Sequence, residues 1–209
     1  VIDRKAQTSA NQSGSATTTT GNFASAYISH GTAPSSAGYE YVIIPQTTSA
    51  AMATFSTNMA TASTAFYQVI QKNSTAHIVK YNTMYGYSLF AAGTYGTTTP
   101  IKDNNVPCLL MTNQTDNLLT LSVVNPDLNF AANNGASQAT SIILTVNGTW
   151  KVNTFSGGSV SATVGTSTTT LTIAAKDGLP VDIVLTPTTT TWNGSAWSNG
   201  IPYTTTDAI

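Results

Sequence analysis

The sequence predicts an all-β protein built from antiparallel β-sandwiches, with one short helix near residues 49–60. Three observations carry this. Thr supplies 39 of the 209 residues and, with Val, Ile and Tyr, dominates the periodic segments. Branched and aromatic side chains of this kind suit a pleated, half-buried surface. The periodic segments are short and are separated by turn clusters, as in sandwiches rather than βαβ units. A single stretch departs from strand spacing: Met52, Phe55 and Met59 fall at i, i+3 and i+7 in an Ala-rich run behind Thr48 and Ser49, which are candidate N-caps.

Along the chain, Tyr39–Ile44 reads as a strand ended by Pro45, and the helix follows. Phe66–Gln71 and Ala76–Tyr81 read as two strands joined through Asn73, Ser74 and Thr75. Tyr87–Phe90, Cys108–Met111 and Leu118–Val124 continue the series, then Ser141–Val146, Val160–Val164, Thr170–Ile173 and Val181–Leu185. Turn chemistry sits between them at Asn125-Pro126-Asp127, Asn147-Gly148, Gly157-Gly158 and Lys176-Asp177-Gly178. The helix is expected to join two β regions, with a boundary near residue 63. After Pro187 four threonines lead to Trp192 and Trp197 around Asn193-Gly194, a tight-turn signal. Residues 188–209 therefore read as a linker or the start of a further module. The chain opens on Val1-Ile2-Asp3-Arg4 and reads as a piece of something longer.

Composition excludes several functions. Only 7% of residues are charged, with a net charge of −1. Seven scattered cations cannot form the basic face that displaces counterions from nucleic-acid phosphates. Hydrophobic residues make up 41% of the chain, enough to bury a core. No run approaches the ~20 apolar residues of a membrane span. The single cysteine, Cys108, rules out an internal disulfide; in its apolar run it reads as a small buried hydrophobe rather than a reactive thiol.

Few residues of the chain point to catalytic chemistry. Acid–base work on a sugar needs paired carboxylates, or a base with a charge-neutralising partner, but most of the eight acidic residues lie in turn contexts. His30 and His77 have no third ligand at metal-binding spacing. His77 reads as a strand residue, and His30 as a buried structural residue bonded to backbone near Pro34. No nucleophile elbow, phosphate loop or dinucleotide fingerprint is present. Tyr85, Tyr87 and Tyr95, near Gly86 and Gly96, are candidates for a sugar-stacking platform, against the favoured reading that they cap a sandwich edge. Trp192 and Trp197 are further candidates for sugar contact, against packing on each other or on a neighbouring domain. No catalytic, cofactor-binding or metal-binding residue is assigned.

The segment from His30 to Pro45 resembles a signature of polysaccharide lyase family 8, which includes chondroitin AC, hyaluronate and xanthan lyases. A His-Gly pair is followed there at fixed spacing by Pro, two Tyr and Pro; His30, Gly31, Pro34, Tyr39, Tyr41 and Pro45 occupy those positions. Val69–Val79, with Asn73 ending one strand and His77 in the next, resembles the segment that follows in the family. Leu119–Pro126 is similar to a further strand that ends in Asp-Pro, here Asn125-Pro126. The resemblance implies that residues 1–63 end the central β-domain and 64–187 form the C-terminal β-sandwich. It also implies β-elimination: a base takes the C5 proton of a uronate, its carboxylate is neutralised, and the bond to O4 breaks. The family's catalytic Asn, His, Tyr and Arg lie in a helical toroid, so this chain is expected to be non-catalytic, with the toroid of the same parent as its partner. Thr191–Pro202 is similar to a segment common in secreted Bacteroidetes proteins, which implies an exported parent. The alternative is a self-standing carbohydrate-binding or adhesion module.

Overall fold

The computed structural model describes residues 2–10, 18–115, 117–128 and 135–188. Contacts divide the chain into two units between Ser49 and Ala50.

In the first unit, β1 (Ile2–Ala10) and β2 (Thr18–Ala26) form an antiparallel two-stranded sheet, in unbroken register from Ile2 opposite Ala26 to Ala10 opposite Thr18. The hydroxyls of Thr8 and Thr20 share a hydrogen bond of 2.9 Å across it, the cross-strand pairing that suits Thr-rich strands. Beyond β2 the backbone is irregular, with Gly31, Ala33, Ser36 and Gln46 at φ of 76°, 50°, 54° and 56°. The strand expected at Tyr39–Ile44 is absent: the segment is extended in sequence character but has no partner strand among the described residues. β-propensity measures how well a side chain packs on a neighbouring strand, and without that neighbour it selects nothing. Tyr39, Tyr41 and Ile43 are accordingly 62%, 67% and 77% exposed.

α1 (Ser49–Met59) begins at the division, with all but its first residue in the second unit, and agrees with the helix expected over 49–60. Its stripe is only half-covered: Met52, Phe55 and Met59 are partly exposed. Phe55 meets Phe66 at 5.4 Å between ring centroids, and Phe66 stacks on Tyr81 at 6.3 Å.

Two antiparallel sheets follow. The larger has the order β11-β14-β9-β8-β5-β4-β3 and the smaller β12-β13-β10-β7-β6. The larger is built from β3 (Gln68–Lys72), β4 (Ala76–Tyr81), β5 (Met84–Leu89), β8 (Cys108–Thr115), β9 (Leu118–Val124), β11 (Trp150–Ser156) and β14 (Val181–Pro187). The smaller comprises β6 (Gly93–Thr94), β7 (Ile101–Asn104), β10 (Thr140–Asn147), β12 (Ser159–Val164) and β13 (Thr168–Ala175). Strict alternation sorts the faces, as in β8, where Cys108, Leu110 and Thr112 are buried and Leu109, Met111 and Asn113 exposed. Pairing places Ile78, Tyr87, Leu110, Val123 and Val181 in one row across five strands. From the smaller sheet Ile101, Ile142, Leu144, Val146, Leu171 and Ile173 join the same fully enclosed core. Each such Leu, Ile or Val contributes about 1.5–3 kcal/mol by leaving water.

Asn147-Gly148 carries the chain from the smaller sheet to the larger, and Gly157-Gly158 carries it back. Both edge strands of the larger sheet are irregular: register slips between Val69 and Gln71 in β3 and between Val152 and Thr154 in β11.

Candidate functional site

A polar concavity lies where strand ends of the larger sheet meet the crossover from β10. The β4–β5 hairpin turns on Asn82 and Thr83, which pairs Tyr81 with Met84 and Lys80 with Tyr85. Asn82 takes φ 53°, a conformation its short polar side chain tolerates. The Thr83 hydroxyl donates to Asn113 Oδ1 at 2.7 Å, and the Gln114 amide N–H donates to the Thr83 carbonyl at 3.1 Å. These bonds tie the turn to the end of β8. On the other wall Gly148 sits at φ +93°, where a Cβ would stand 2.7 Å from Trp150 Nε1. Glycine lets Trp150 fold back so that its indole N–H donates to the Asn147 carbonyl at 2.7 Å. The Asn147 side-chain amide donates in turn to the carbonyls of Gly96 and Thr99, at 2.9 and 2.8 Å.

The result is an open cleft of about 760 Å³ lined by Lys80, Asn82, Tyr85, Gln114, Trp150 and their neighbours. Lys80 holds its ammonium 5.6 Å from the centre of the Tyr85 ring. The Tyr85 hydroxyl reaches the Thr98 carbonyl at 3.4 Å, and the ring stacks on Tyr87 at 6.1 Å.

Of the tyrosines singled out in the sequence, Tyr85 alone borders this cleft. Tyr87 and Tyr95 present no ring to solvent beside it: Tyr87 shares the inner face of β5 with Tyr85 but lies two residues deeper, and both are buried, at 3% and 9% exposure. Burial pushes the Tyr87 phenol up to about 12, partly offset by the Ile101 backbone, Thr112 and Thr99 nearby. Its hydroxyl and that of Thr112 meet no partner at good hydrogen-bonding geometry. Tyr95 is likewise raised to about 12, by burial first and then by Cys108 and Asp103, and its hydroxyl donates to Asn104 Oδ1. Cys108 is buried, as expected from its apolar run, and desolvation lifts its thiol to about 12. A thiol so raised is protonated at neutral pH and a poor nucleophile. Trp192 and Trp197 lie outside the described residues.

The motif residues fall in three places. His30, Gly31, Pro34, Tyr39, Tyr41 and Pro45 are all exposed. His30 is thus not the buried, backbone-bonded residue expected: it is exposed, and its ring stands 6.4 Å from that of Tyr39, which stacks on Tyr41 at 6.1 Å. Asn73 closes the β3–β4 turn, its Oδ1 accepting the backbone N–H groups of Thr75 and Ala76 at 2.9 Å each. Asn125 is buried ahead of exposed Pro126; its Oδ1 accepts the Asp127 N–H at 3.1 Å and its Nδ2 donates to the Thr140 hydroxyl. An amide is suited to that place because it donates and accepts without carrying a charge. His77 faces solvent on β4, edge-on to Phe90 at 4.9 Å.

Among the described residues no three His, Cys, Asp or Glu side chains are grouped to hold a metal ion. No helix there is long and apolar enough to cross a membrane. Lys80, Asn82, Gln114 and Trp150 escaped sequence reasoning as site residues. A signal for the first two existed: a two-residue turn at Asn82-Thr83 sets Lys80 opposite Tyr85. Gln114 and Trp150 arrive from distant strands.

Architecture defines the class first: an all-β, antiparallel protein whose second unit is a two-sheet sandwich. The sequence matches no protein-family model. It is 32% identical over 171 residues to a chondroitin sulfate ABC endolyase of Proteus vulgaris, covering 81% of this chain and 16% of that enzyme. It is 30% identical over 158 residues to a chondroitin sulfate ABC exolyase of the same organism, covering 63% of this chain and 15% of the relative. In fold it is similar to a Streptomyces coelicolor A3 chondroitin AC lyase solved with chondroitin sulphate, at TM-score 0.66 and 17% identity, over 90% of this chain and 24% of that one. A Paenibacillus xanthan lyase is similar at TM-score 0.65 and 20% identity, over 90% of this chain and 18% of that one. The chain is therefore a relative of polysaccharide lyase family 8, corresponding to a small part of such enzymes.

Proposed function

We propose that this chain is the non-catalytic C-terminal β portion of a secreted polysaccharide lyase that degrades uronate-containing polysaccharide by β-elimination. The observation that carries this reading is the 32% identity running along 81% of the chain but only 16% of a chondroitin lyase. Similarity of that extent marks a structural segment of the enzyme rather than a borrowed motif. In this reading residues 1–63 end the central β-domain, 64–187 form the C-terminal sandwich, and 188–209 lead onward. The chemistry belongs to a helical toroid elsewhere in the parent.

Two features support it. Elimination requires a base, a carboxylate neutraliser and an acid converging on one uronate. Here the described side chains that titrate furthest from their ordinary range are Tyr87, Tyr95 and Cys108, raised chiefly by core burial. The exposed Tyr27, Ile28, Tyr39, Tyr41, Val42 and Ile43 also form an apolar surface around His30. Contiguous apolar surface of this kind marks a site of contact with further protein.

The test is to incubate the chain with chondroitin, hyaluronan and xanthan and follow the ultraviolet absorbance of the unsaturated uronate product. We expect none. Product formation that is lost on substituting a residue of this chain would place a catalytic group within it and overturn the reading.

A further inference from the structure

We propose that the cleft between the β4–β5 hairpin and the β10–β11 crossover binds an anionic saccharide, with Lys80 as the counter-charge and Tyr85 as the stacking surface. The inference goes beyond the lyase assignment and does not depend on where cleavage occurs.

Among the described residues that line the cleft, Lys80 is the only charged one. Its ammonium over the Tyr85 ring is an arrangement that leaves N–H donors free for a sugar carboxylate or sulfate. The side-chain amides of Asn82 and Gln114 make no hydrogen bond among the described residues. Each therefore offers both a donor and an acceptor, the mixture that sugar hydroxyls require.

The walls are held in place before any ligand arrives. Tyr85 is fixed by Thr98 and by stacking on Tyr87, and Trp150 by the Asn147 carbonyl and by its own N–H donating to Thr169 Oγ1 at 2.8 Å. Prepositioned groups lose little freedom on binding. A volume near 760 Å³ lies within the ~300–1,000 Å³ range of ligand clefts. A nucleic acid is a poor alternative, since one lysine in a chain of net charge −1 releases few counterions. The shallow depressions on the outer face of the larger sheet differ in kind: one is lined by Val79, Gly86, Leu109, Met111 and Val124, with no lysine or arginine among its described lining residues.

Isothermal titration of the 209-residue chain with a chondroitin tetrasaccharide, cellotetraose and sodium sulfate tests the proposal. The tetrasaccharide should bind most tightly, and more weakly as salt is raised. Lys80→Gln should weaken it about tenfold, the scale of one charge-assisted contact, and leave cellotetraose unchanged. Gln114→Ala should weaken both sugars by roughly threefold, the scale of one neutral hydrogen bond. Circular dichroism verifies that each variant folds, and either variant alone decides if the other does not. No binding of the tetrasaccharide, or binding unchanged in the folded variants, overturns the proposal. So does sulfate binding as tightly as the sugar, which would make the cleft a site for free anions only. The titration reads binding without cleavage, so its failure leaves the lyase assignment standing.

Discussion

Replacing Gly157 by Ala tests how the two sheets are joined. The residue sits at φ +85°, and a Cβ built there lies 2.1 Å from the Pro180 carbonyl oxygen. Ordinary contact distances are ~3.5 Å or more, so the overlap exceeds an ångström. The obstructing atom belongs to backbone immediately before β14, which pairs with both β9 and β11, so relief requires moving a core strand. The left-handed conformation adds about 1–2 kcal/mol for a residue with a Cβ, and overpacking of this kind typically adds about 1–3 kcal/mol. Together they give about 2–5 kcal/mol, or a Tm lowered by roughly 4–20 °C in a protein of this length. Gly86→Ala is the matched control: it lies inside β5, at no positive φ, with no atom within 4 Å of the new methyl. Alanine there should be neutral or stabilise by up to ~1 kcal/mol. Urea melts followed by circular dichroism decide the matter. A Gly157→Ala variant within about 0.5 kcal/mol of the parent, inside the spread of ordinary surface substitutions, would refute the crossover geometry.

Stability should fall in alkali in a defined window. The Cys108 thiol is raised from 9.0 to about 12, and the Tyr87 and Tyr95 phenols from 10.0 to about 12. The folded chain keeps protons that the unfolded chain releases, so stability is fully present below about pH 9 and is lost progressively toward about pH 12. Urea midpoints across that range should decline, and Cys108→Ala should flatten the onset of the decline. Asn73→Ala removes the acceptor for the Thr75 and Ala76 N–H groups and should destabilise by about 1–3 kcal/mol in urea melts, whereas Asn73→Asp, which keeps the acceptor, should lose far less. Trp150→Phe strands the Asn147 carbonyl and should lower stability by about 1–2 kcal/mol by the same measure.

The core was legible because its strands alternate cleanly. Ala76–Tyr81 and Leu118–Val124 coincide with β4 and β9 at both ends. β11 was not foreseen: Trp150–Ser156 carries a bulge after Val152, and beyond it the side chains are exposed, so the period-two signal breaks in mid-strand. At Tyr39–Ile44 the opposite occurs, with strand composition but no strand among the described residues to pair with. The tyrosines show the same division. Sequence placed Tyr85, Tyr87 and Tyr95 together, yet which ring meets solvent depends on how far each lies from the open end of the sandwich. The cleft itself draws on β4, β5, β8 and the β10–β11 crossover, segments that only the sheet order brings side by side.

The irregular margins of the larger sheet bear on how copies of this protein tolerate crowding. A sheet margin offers a row of unpaired backbone groups on which another molecule's strand can grow. Both margins here, β3 and β11, contain a bulge, which interrupts any ladder an incoming strand would build. Each also carries an exposed lysine, Lys72 and Lys151, although the whole chain has only seven cations. A Thr-rich surface with so few charges has little electrostatic repulsion to keep its copies apart. Two well-placed defects and two lysines supply, at the positions where fibrils would start, the protection that overall charge supplies in most proteins.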